Sequence, residues 1–365
     1  MKYYKLKELC AAIVDCPHST PVWKNEGVRV VRNFNLVNGN LDFTDGYFVD
    51  EETYRDRIRR AIPEEGDIII SREAPMGVVG IVPKGLKCCL GQRLVLLKVD
   101  RTKCSPYYLL FVLMSDFAQT QFRRADATGS IVSNLCIPDL EDIIIPVLEN
   151  GEDKVANLLE KINSKLQINR KINDNLQQMA YDIYMHLFFK KQPNGILSEI
   201  IVEHEKSSVQ VGEAKGKSAN YPFFTSGDAI LEWDDAMVDG RNCFLNTGGN
   251  AGVKFYIGSA AYSTDTWCIT ANRALEDYLY LLLLSIKPEL DQKFFQGTGL
   301  KHLQKPLLKE RMIYIPSEKE IAEFNAKVKP LMDMISANVR ENKKLIALRD
   351  WLLPMLMNGQ ATVGD

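Results

Sequence analysis

The amino-acid sequence predicts two mixed α/β domains separated by two long helices, with these helices paired as an antiparallel coiled coil and the two halves related by a pseudo-twofold internal repeat. Three observations lead to this prediction. The chain has 365 residues, more than the roughly 250 to 300 that one hydrophobic core usually supports. A helical pattern of apolar residues occurs twice, from Ile162 and from Leu331, 169 residues apart. The segments before each copy also share their order of strands and helices.

The two helical segments share both their apolar residues and their polar interruptions. Within residues 152–189, apolar residues recur at alternating steps of three and four, as the contact line of a coiled coil requires. The predicted contact positions are Ile162, Leu166, Asn169, Asn173, Leu176 and Ile183 in the first copy, and Leu331, Ile335, Asn338, Asn342, Leu345 and Leu352 in the second. Arg349 departs from the apolar pattern at the position equivalent to Ala180. Buried asparagines fix the register of paired helices, so we expect the two helices to pair; the alternative is that each packs only on its own domain.

The repeat extends upstream into the domains. Gly129-Ser130, Leu135 and Pro138 recur at the same spacing as Gly297-Thr298, Leu303 and Pro306. The predicted organisation is a first domain at 1–150, a helical region at 151–190, a second domain at 191–315 and a C-terminal helical region at 316–365. The residue patterns predict strands at 68–70, 94–99 and 253–257, and helices at 106–122 and 275–295, the second interrupted near Pro288.

Composition excludes several classes of protein. The 46% hydrophobic and 25% charged residues are typical of a folded chain, and no apolar run approaches the roughly 18 residues of a membrane span. The first residues lack the apolar segment of a signal peptide, which predicts a cytoplasmic protein whose eight cysteines are reduced. Four histidines, no Cys-x-x-Cys pair and no complete phosphate-loop motif predict no catalytic residues and no metal site.

Polar loops beside predicted strands are the first candidate functional feature. In the first domain they supply Arg72 and Glu73 after one strand, and Gln92 and Arg93 before another. Such side chains pair with guanine, cytosine and adenine in the major groove of DNA. The candidates of the second domain are Thr225, Ser226, Asn246, Thr247, Asn250 and Lys254. The alternative is that these loops are tight turns with solvated side chains.

Local positive charge is the second candidate feature, because phosphate contacts supply much of the affinity for nucleic acids while the net charge of the chain is only −2. The clusters lie mainly in the first half. They comprise Arg29 and Arg32 beside Asn33 and Asn35, the pair Arg123 and Arg124, and the arginines at 55, 57, 59 and 60. We expect these residues to contact phosphates; the alternative is a solvated arginine surface.

Several segments together resemble the specificity subunit of type I restriction-modification systems. In the first half the matching stretches are Asp15 to Pro21 with Trp23, Gly66 to Gly80, and Lys87 to Arg93. In the second half they are Tyr221 to Gly227 and Asn246 to Tyr256. With the two helical repeats, the resemblance covers essentially the whole chain, and the duplicated order of domain and helix is its most specific element.

The resemblance implies two target-recognition domains, each binding one half of a bipartite, asymmetric DNA site. It implies that the antiparallel coiled coil sets the spacer between the half-sites. It further implies that the helices dock two modification subunits, which bind S-adenosylmethionine and methylate adenine, and a restriction subunit that translocates and cleaves DNA. The chain itself would bind no cofactor and catalyse no reaction. The alternative is a coiled-coil scaffold that assembles other proteins without binding DNA.

Overall fold

The computed structural model describes residues 1–43, 46–126, 134–148, 151–217, 219–297, 299 and 301–357. The chain divides into two compact units, one comprising residues 1–166 and 343–365, the other residues 167–342. Each unit contains one α/β domain and one end of each long helix. Among the residues that the structure describes, none of the helices has the length and hydropathy of a membrane span.

The first domain contains short strands and helices that precede the first long helix. A 3₁₀ turn at Asn33–Asn35 interrupts the series of strands. The strands are β1 (Lys2–Lys5), β2 (Cys10–Asp15), β3 (Val28–Val31), β4 (Leu36–Val37), β5 (Asn40–Leu41), β6 (Phe48–Val49), β7 (Ile68–Ser71), β8 (Val79–Ile81), β9 (Cys88–Leu90), β10 (Leu94–Val99) and β11 (Ile144–Val147). The helices are α1 (Leu6–Leu9), α2 (Glu51–Arg57), α3 (Pro106–Met114), α4 (Asp116–Asp126) and α5 (Ile137–Glu141).

The central sheet of this domain has the order β2-β10-β7-β8, and all of its pairs are antiparallel. Alternate residues of a strand point to opposite faces, and β7 has an apolar core on both sides. Ile68 and Ile70 belong to the core formed with α3, whereas Ile69 belongs to a second core formed with β9. The continuous apolar run predicted as a strand is therefore buried on both faces.

The second domain is built in the same order and precedes the second long helix. A 3₁₀ turn at Leu197–Glu199 follows its first strand, and a π-helical segment at Leu290–Phe294 follows α9. The strands are β12 (Gly195–Ile196), β13 (Ile201–Glu203), β14 (Tyr221–Phe224), β15 (Ile230–Trp233), β16 (Arg241–Asn246), β17 (Val253–Ile257), β18 (Ala261–Tyr262), β19 (Thr266–Ala271), β20 (Phe295–Gln296), β21 (His302–Leu303) and β22 (Met312–Ile313). The helices are α7 (Val211–Ala214), α8 (Glu276–Ser285), α9 (Lys287–Glu289) and α10 (Lys305–Lys309).

The two domains share one topology, which confirms the internal repeat. The sheet β13-β19-β16-β17 corresponds to β2-β10-β7-β8, and the sheet β15-β14-β18 corresponds to β6-β3-β9. In both smaller sheets the central strand pairs in parallel with the later one. The matched leucines make the same bond: Leu135 N donates to Arg72 O at 3.0 Å, and Leu303 N donates to Thr247 O at 3.0 Å. The matched residues Gly129, Ser130 and Thr298 lie outside the described residues.

The two long helices, α6 (Glu152–Phe188) and α11 (Glu318–Met357), form the predicted antiparallel pair. Asn169 Nδ2 donates to Asn342 Oδ1 at 2.8 Å, and Asn338 Nδ2 donates to Asn173 Oδ1 at 2.8 Å. One turn forward along α6 thus corresponds to one turn backward along α11, which is the geometry of an antiparallel pair. The four asparagines singled out in the sequence are the residues that hold this register.

Each long helix also packs on the domains. Both arrangements considered from the sequence, pairing of the helices and packing of a helix on a domain, therefore occur. In the first unit, Val155 and Leu159 of α6 share a core with Leu353 and Leu356 of α11 and with the first domain. In the second unit, α6 and α11 share a core with the second domain through Ala180, Tyr184, Phe188, Phe324 and Val328. Ala180 is fully buried there, so apolar packing at this position is close although its counterpart in the repeat is Arg349.

Of the two helices predicted within the domains, one differs from the structure and the other agrees with it. The predicted helix at 106–122 is divided into α3 and α4 by Ser115, whose backbone is extended and whose Oγ donates to Val112 O at 2.6 Å. A serine hydroxyl that bonds to the backbone of the preceding turn competes with continuation of the helix. The predicted helix at 275–295 is interrupted near Pro288 as expected, with α8 ending at Ser285.

Candidate nucleic-acid interface

Three strands of the central sheet in the first domain meet at one edge. β2 ends at Asp15, which lies opposite Val95, and β7 ends at Ser71, which lies opposite Leu94 at the start of β10. The loops that continue from these strand ends therefore lie side by side. We call this region the first sheet edge; it comprises Asp15, His18, Arg72, Glu73, Gln92 and Arg93. The structure thus brings Arg72 and Glu73 together with Gln92 and Arg93, which lie about 20 residues further along the sequence.

Arg72 is held inside the first sheet edge. Its Nη1 lies 3.0 Å from both carboxylate oxygens of Asp15, its Nε donates to Leu135 O at 2.9 Å, and its Nη2 lies 3.4 Å from Asn134 Oδ1. The side chain is only 14% exposed. Since these bonds use the donors that a guanine contact needs, Arg72 links the strand ends and is poorly placed to contact a base.

Arg93 has the opposite character. Its φ of 66° places it in the left-handed region, and its side chain is 56% exposed. Its Nε forms an ion pair with Glu73 Oε2 at 3.1 Å. Gln92 Nε2 donates to the carbonyl of His18, which attaches the β2 loop to this turn. Arg93 is therefore the exposed cation of the first sheet edge.

The predicted arginines of the first domain near β3 pack against aromatic rings. The Arg32 guanidinium lies 4.5 Å from the ring centroid of Tyr47 and 5.0 Å from that of Phe34. Arg29 lies 5.0 Å from the ring of Phe43. Both arginines are partly exposed, and such stacking orients a guanidinium while leaving its charge available to a partner.

The neighbouring asparagines and one arginine serve the fold itself. Asn33 Nδ2 donates to Glu73 O at 2.6 Å. Asn35 is 2% exposed, donates to Asp42 O and accepts from Arg32 N. Arg57, expected in a phosphate-binding cluster, is instead buried, and its Nε donates to Leu90 O and its Nη1 to Ser19 O. The sequence could not distinguish these inward residues from Arg55 and Arg59, which are exposed.

Arg123 and Arg124 lie near the end of α4 and are exposed. Arg123 Nη2 donates to Thr120 Oγ1 at 2.9 Å, a contact within one helical turn. The same helix contacts the loop after Arg72, because Gln119 Nε2 donates to Gly77 O at 2.9 Å. Helix α4 thus lies beside the loop that follows Arg72, and Arg123 and Arg124 lie about one turn further along this helix.

The second domain has an equivalent edge. β16 ends at Asn246, which lies opposite Thr266 at the start of β19, and β13 runs antiparallel to β19 on its other side. Asn246 is 8% exposed and its Nδ2 donates to Asn250 O at 3.1 Å. Thr247 Oγ1 donates to Asp265 O at 2.8 Å. Asn250 is exposed. We call this region, with Glu205, Lys206, Thr264 and Asp265, the second sheet edge.

The remaining candidates of the second domain hold one another. Lys254 Nζ donates to Thr225 O at 2.7 Å and to Gly227 O. Burial lowers the pKa of Lys254. Thr225 is 4% exposed with its Oγ1 bonded to Ala229 O at 2.8 Å, and Ser226 Oγ donates to Asp265 O. Lys254 and Thr225 therefore shape the 225–227 loop from within.

Sequence reasoning did not single out a cleft at the second sheet edge. The cleft has a volume of about 400 Å³, and its lining includes Lys206, Thr247, Asp265, Trp267 and Lys305. Lys305 Nζ lies 5.0 Å from the indole ring of Trp267, and burial lowers the pKa of Lys305. The sequence around Asp265 and Lys305 contains no recognisable motif. Only the tertiary structure shows that both residues line this cleft.

Each domain is attached to a long helix by polar contacts within its own unit. In the first unit, Asn40 and Asn163 of α6 exchange two amide hydrogen bonds of 3.1 and 3.0 Å. In the second unit, Arg241 of β16 forms a buried ion pair with Asp277 at 2.6 Å and contacts Asp333 of α11. These contacts fix the orientation of each sheet on the helix that it touches.

Two α/β domains of one topology, each with a polar sheet edge and each attached to paired long helices, define a class of duplicated recognition proteins. The chain matches, over residues 1–178 and 197–342, the family model described as the type I restriction modification DNA specificity domain. The chain belongs to this family. The resemblance noted in the sequence and the predicted fold class are both confirmed.

Individual relatives agree with this family assignment. The type I restriction enzyme MjaIX specificity subunit of Methanocaldococcus jannaschii is 20% identical over 361 residues, covering 87% of this chain and 82% of the relative. A putative type I specificity subunit of Mycoplasma pneumoniae is 23% identical over 63% of this chain and 67% of the relative. The crystal structure of the type I restriction-modification S subunit from M. genitalium has a similar fold, with a TM-score of 0.58, 15% identity, and coverage of 96% of this chain and 94% of that chain.

Proposed function

We propose that this chain directs a type I restriction-modification complex to a bipartite DNA site. Each domain binds one half-site through its sheet edge, and the antiparallel helices set the spacer between the half-sites. The observation that supports this proposal most is the equivalence of the two edges: the same strand ends present different polar side chains in the two domains. One scaffold with two sets of polar residues fits an asymmetric target.

The chemistry belongs to partner subunits in this proposal. Two modification subunits bind S-adenosylmethionine and methylate adenine, and restriction subunits translocate and cleave the DNA, while this chain supplies specificity and no catalytic group. Partner subunits also supply part of the phosphate contacts, which accounts for the net charge of −2 on a DNA-binding chain.

Exposed apolar side chains on the long helices, considered separately in each unit, are the proposed contacts with the modification subunits. Trp351 is 58% exposed, Ile168 52% and Met334 52%. Further exposed apolar residues on these helices are Ile172, Met179, Val339, Ile346 and Leu348. Large apolar side chains that stay exposed along a helix are available to contact a partner protein. Replacement of Trp351 by alanine is expected to weaken assembly with the modification subunit, measured by titration calorimetry.

A domain exchange tests the division of labour between the domains. Residues 1–150 are replaced by the recognition domain of another family member, and methylated adenines are mapped in DNA from cells that contain the complete system. One half-site is expected to change while the other half and the spacer stay the same. A change in both half-sites would refute the modular proposal.

A helix insertion tests the spacer. Seven residues inserted at matching levels of both α6 and α11 lengthen the coiled coil by about 10 Å at 1.5 Å per residue. The half-site sequences are expected to persist with a longer spacer. Modified sites with the original spacer would contradict the proposed role of the helices.

A further inference from the structure

One position occupies the same place at both sheet edges, as two independent hydrogen-bond registers show. In the central sheets, Leu94 lies opposite Ser71, and Thr266 lies opposite Asn246. In the smaller sheets, Gly91 N donates to Val31 O at 2.7 Å, and Ser263 N donates to Phe224 O at 2.9 Å. The two residues between these fixed points are Gln92 and Arg93 in the first domain, and Thr264 and Asp265 in the second.

Arg93 lies directly before strand β10, and Asp265 lies directly before the equivalent strand β19. The two side chains have opposite charges. Both side chains are exposed. Arg93 has Glu73 as its ion-pair partner at 3.1 Å. Within the described ranges, the carboxylate of Asp265 has no hydrogen-bond or ion-pair partner; only its backbone carbonyl is used, by Thr247 and Ser226. Each domain thus presents one charged side chain at the same position of the strand register.

We propose that Arg93 and Asp265 are equivalent specificity-determining residues, one for each half-site. Arg93 donates to the O6 and N7 acceptors of a guanine, and Asp265 accepts from the N4 amino group of a cytosine; these are the base-edge patterns that each side chain matches in the major groove. This inference rests on the proposed function and deepens it.

Neighbouring residues explain why these two side chains are chosen over the other candidates. Arg72 precedes Glu73 in the same edge but is 14% exposed and bonded to Asp15 and Leu135. Thr247, its counterpart by strand register, is bonded to Asp265 O. Lys206 and Lys305 line the same cleft as Asp265, and these cations reduce the repulsion between its carboxylate and DNA phosphates. Glu203 and Glu205 also line the cleft and oppose this effect.

The test uses the complete complex of this chain with its modification subunits. Mapping of methylated adenines first gives the target of the natural complex. Binding is then measured on a set of duplexes in which each base pair of that target is substituted in turn, which gives a selectivity profile along both half-sites. The same profile is recorded for Arg93→Ala, Arg93→Gln and Asp265→Ala. The control is Arg101→Ala, an exposed arginine beyond the opposite end of the same strand β10.

The expected results are specific to position. Arg93→Ala lowers selectivity at one base pair of one half-site by about 10-fold or more and leaves the other half-site unchanged. Arg93→Gln shifts the preferred base at that position from guanine towards adenine, since glutamine pairs with adenine. Asp265→Ala lowers selectivity at one base pair of the other half-site. Arg101→Ala leaves the whole profile unchanged.

Three results would overturn this inference: an unchanged profile for Arg93→Ala or Asp265→Ala, an equal loss at every position, or one substitution that alters both half-sites. Because both side chains are exposed, melting curves of the variants should match the natural chain, and each variant retains the other half-site as an internal standard. A flat profile for the natural complex refutes the proposed function itself. A structured natural profile that survives in the variants refutes only the roles of Arg93 and Asp265.

Discussion

The asparagine pairs between the long helices make a measurable contribution to stability that depends on both partners. Asn169 is 1% exposed, and within the described residues its Oδ1 has no partner while its Nδ2 donates to Asn342 and Glu341. Asn342→Leu removes one acceptor and leaves a buried amide proton unpaired, which costs about 1–3 kcal/mol. A leucine at this half-buried position contributes about 1 kcal/mol in return. The expected net loss in the free energy of unfolding is therefore about 0–2 kcal/mol.

The double variant Asn169→Leu/Asn342→Leu separates pairing from polarity. Replacing both partners with apolar groups is expected to recover most of the loss, because no amide is left unpaired. The two single variants and the double variant form a cycle with an expected coupling energy of about 1–2 kcal/mol. Urea unfolding followed by circular dichroism measures it, with Asn175→Leu, at an exposed position of the same helix, as the control. Single effects that simply add up in the double variant would refute the reasoning.

Three further predictions concern single contacts. Hydrogen bonds from the Ser317 backbone, the Ser317 hydroxyl and Tyr314 lower the pKa of Glu320 to about 2. The stabilising effect of the Glu320 carboxylate is therefore full above about pH 4.5 and is lost as the pH falls towards 2. The stabilities of the natural chain and of Glu320→Gln should converge in acid, and a constant difference from pH 7 to pH 2 would contradict this. Arg72→Ala leaves the half-buried Asp15 with His18, whose Nε2 lies 3.2 Å from Asp15 Oδ2, as its remaining side-chain partner. The substitution should lower stability by about 1–3 kcal/mol in urea unfolding, and a loss below about 0.5 kcal/mol would show that the pair of Arg72 and Asp15 is dispensable. Asn40→Ala and Asn163→Ala should each cost about 1–2 kcal/mol, with the double variant costing less than their sum; strict additivity would exclude the amide pair as a stabilising unit.

The sequence was sufficient for the architecture because that information is local and periodic. The run Ile68–Ile70 predicts a strand from three apolar residues, and the long helices follow from a repeated spacing of apolar residues. The repeated asparagines predict pairing of the helices, and the bond from Asn169 to Asn342 confirms the antiparallel direction. In these cases the residues that carry the pattern are also the residues that make the contacts.

The sheet edges could be predicted only as sets of residues, because the difference between Arg72 and Arg93 is tertiary. Both are arginines in polar loops beside strands. The guanidinium of Arg72 is hydrogen-bonded to Asp15, which lies 57 positions away in the chain. Arg93 instead extends from a turn in which its own backbone is left-handed. Asp265 was missed for the same reason, since its equivalence to Arg93 depends on which strands are neighbours.

The paired asparagines also limit which amino-acid substitutions the two halves of this protein can accept during evolution. A substitution at Asn173 alters the surroundings of Asn338, to which it is bonded at 2.8 Å across 165 positions of sequence, so an acceptable change in one copy requires a matching change in the other. Arg93 and Asp265 are exposed, and exposed positions usually tolerate substitution at a cost within about 0.5 kcal/mol. Divergence is therefore costly at the paired asparagines of the helices and inexpensive at exposed positions of the sheet edges such as Arg93 and Asp265.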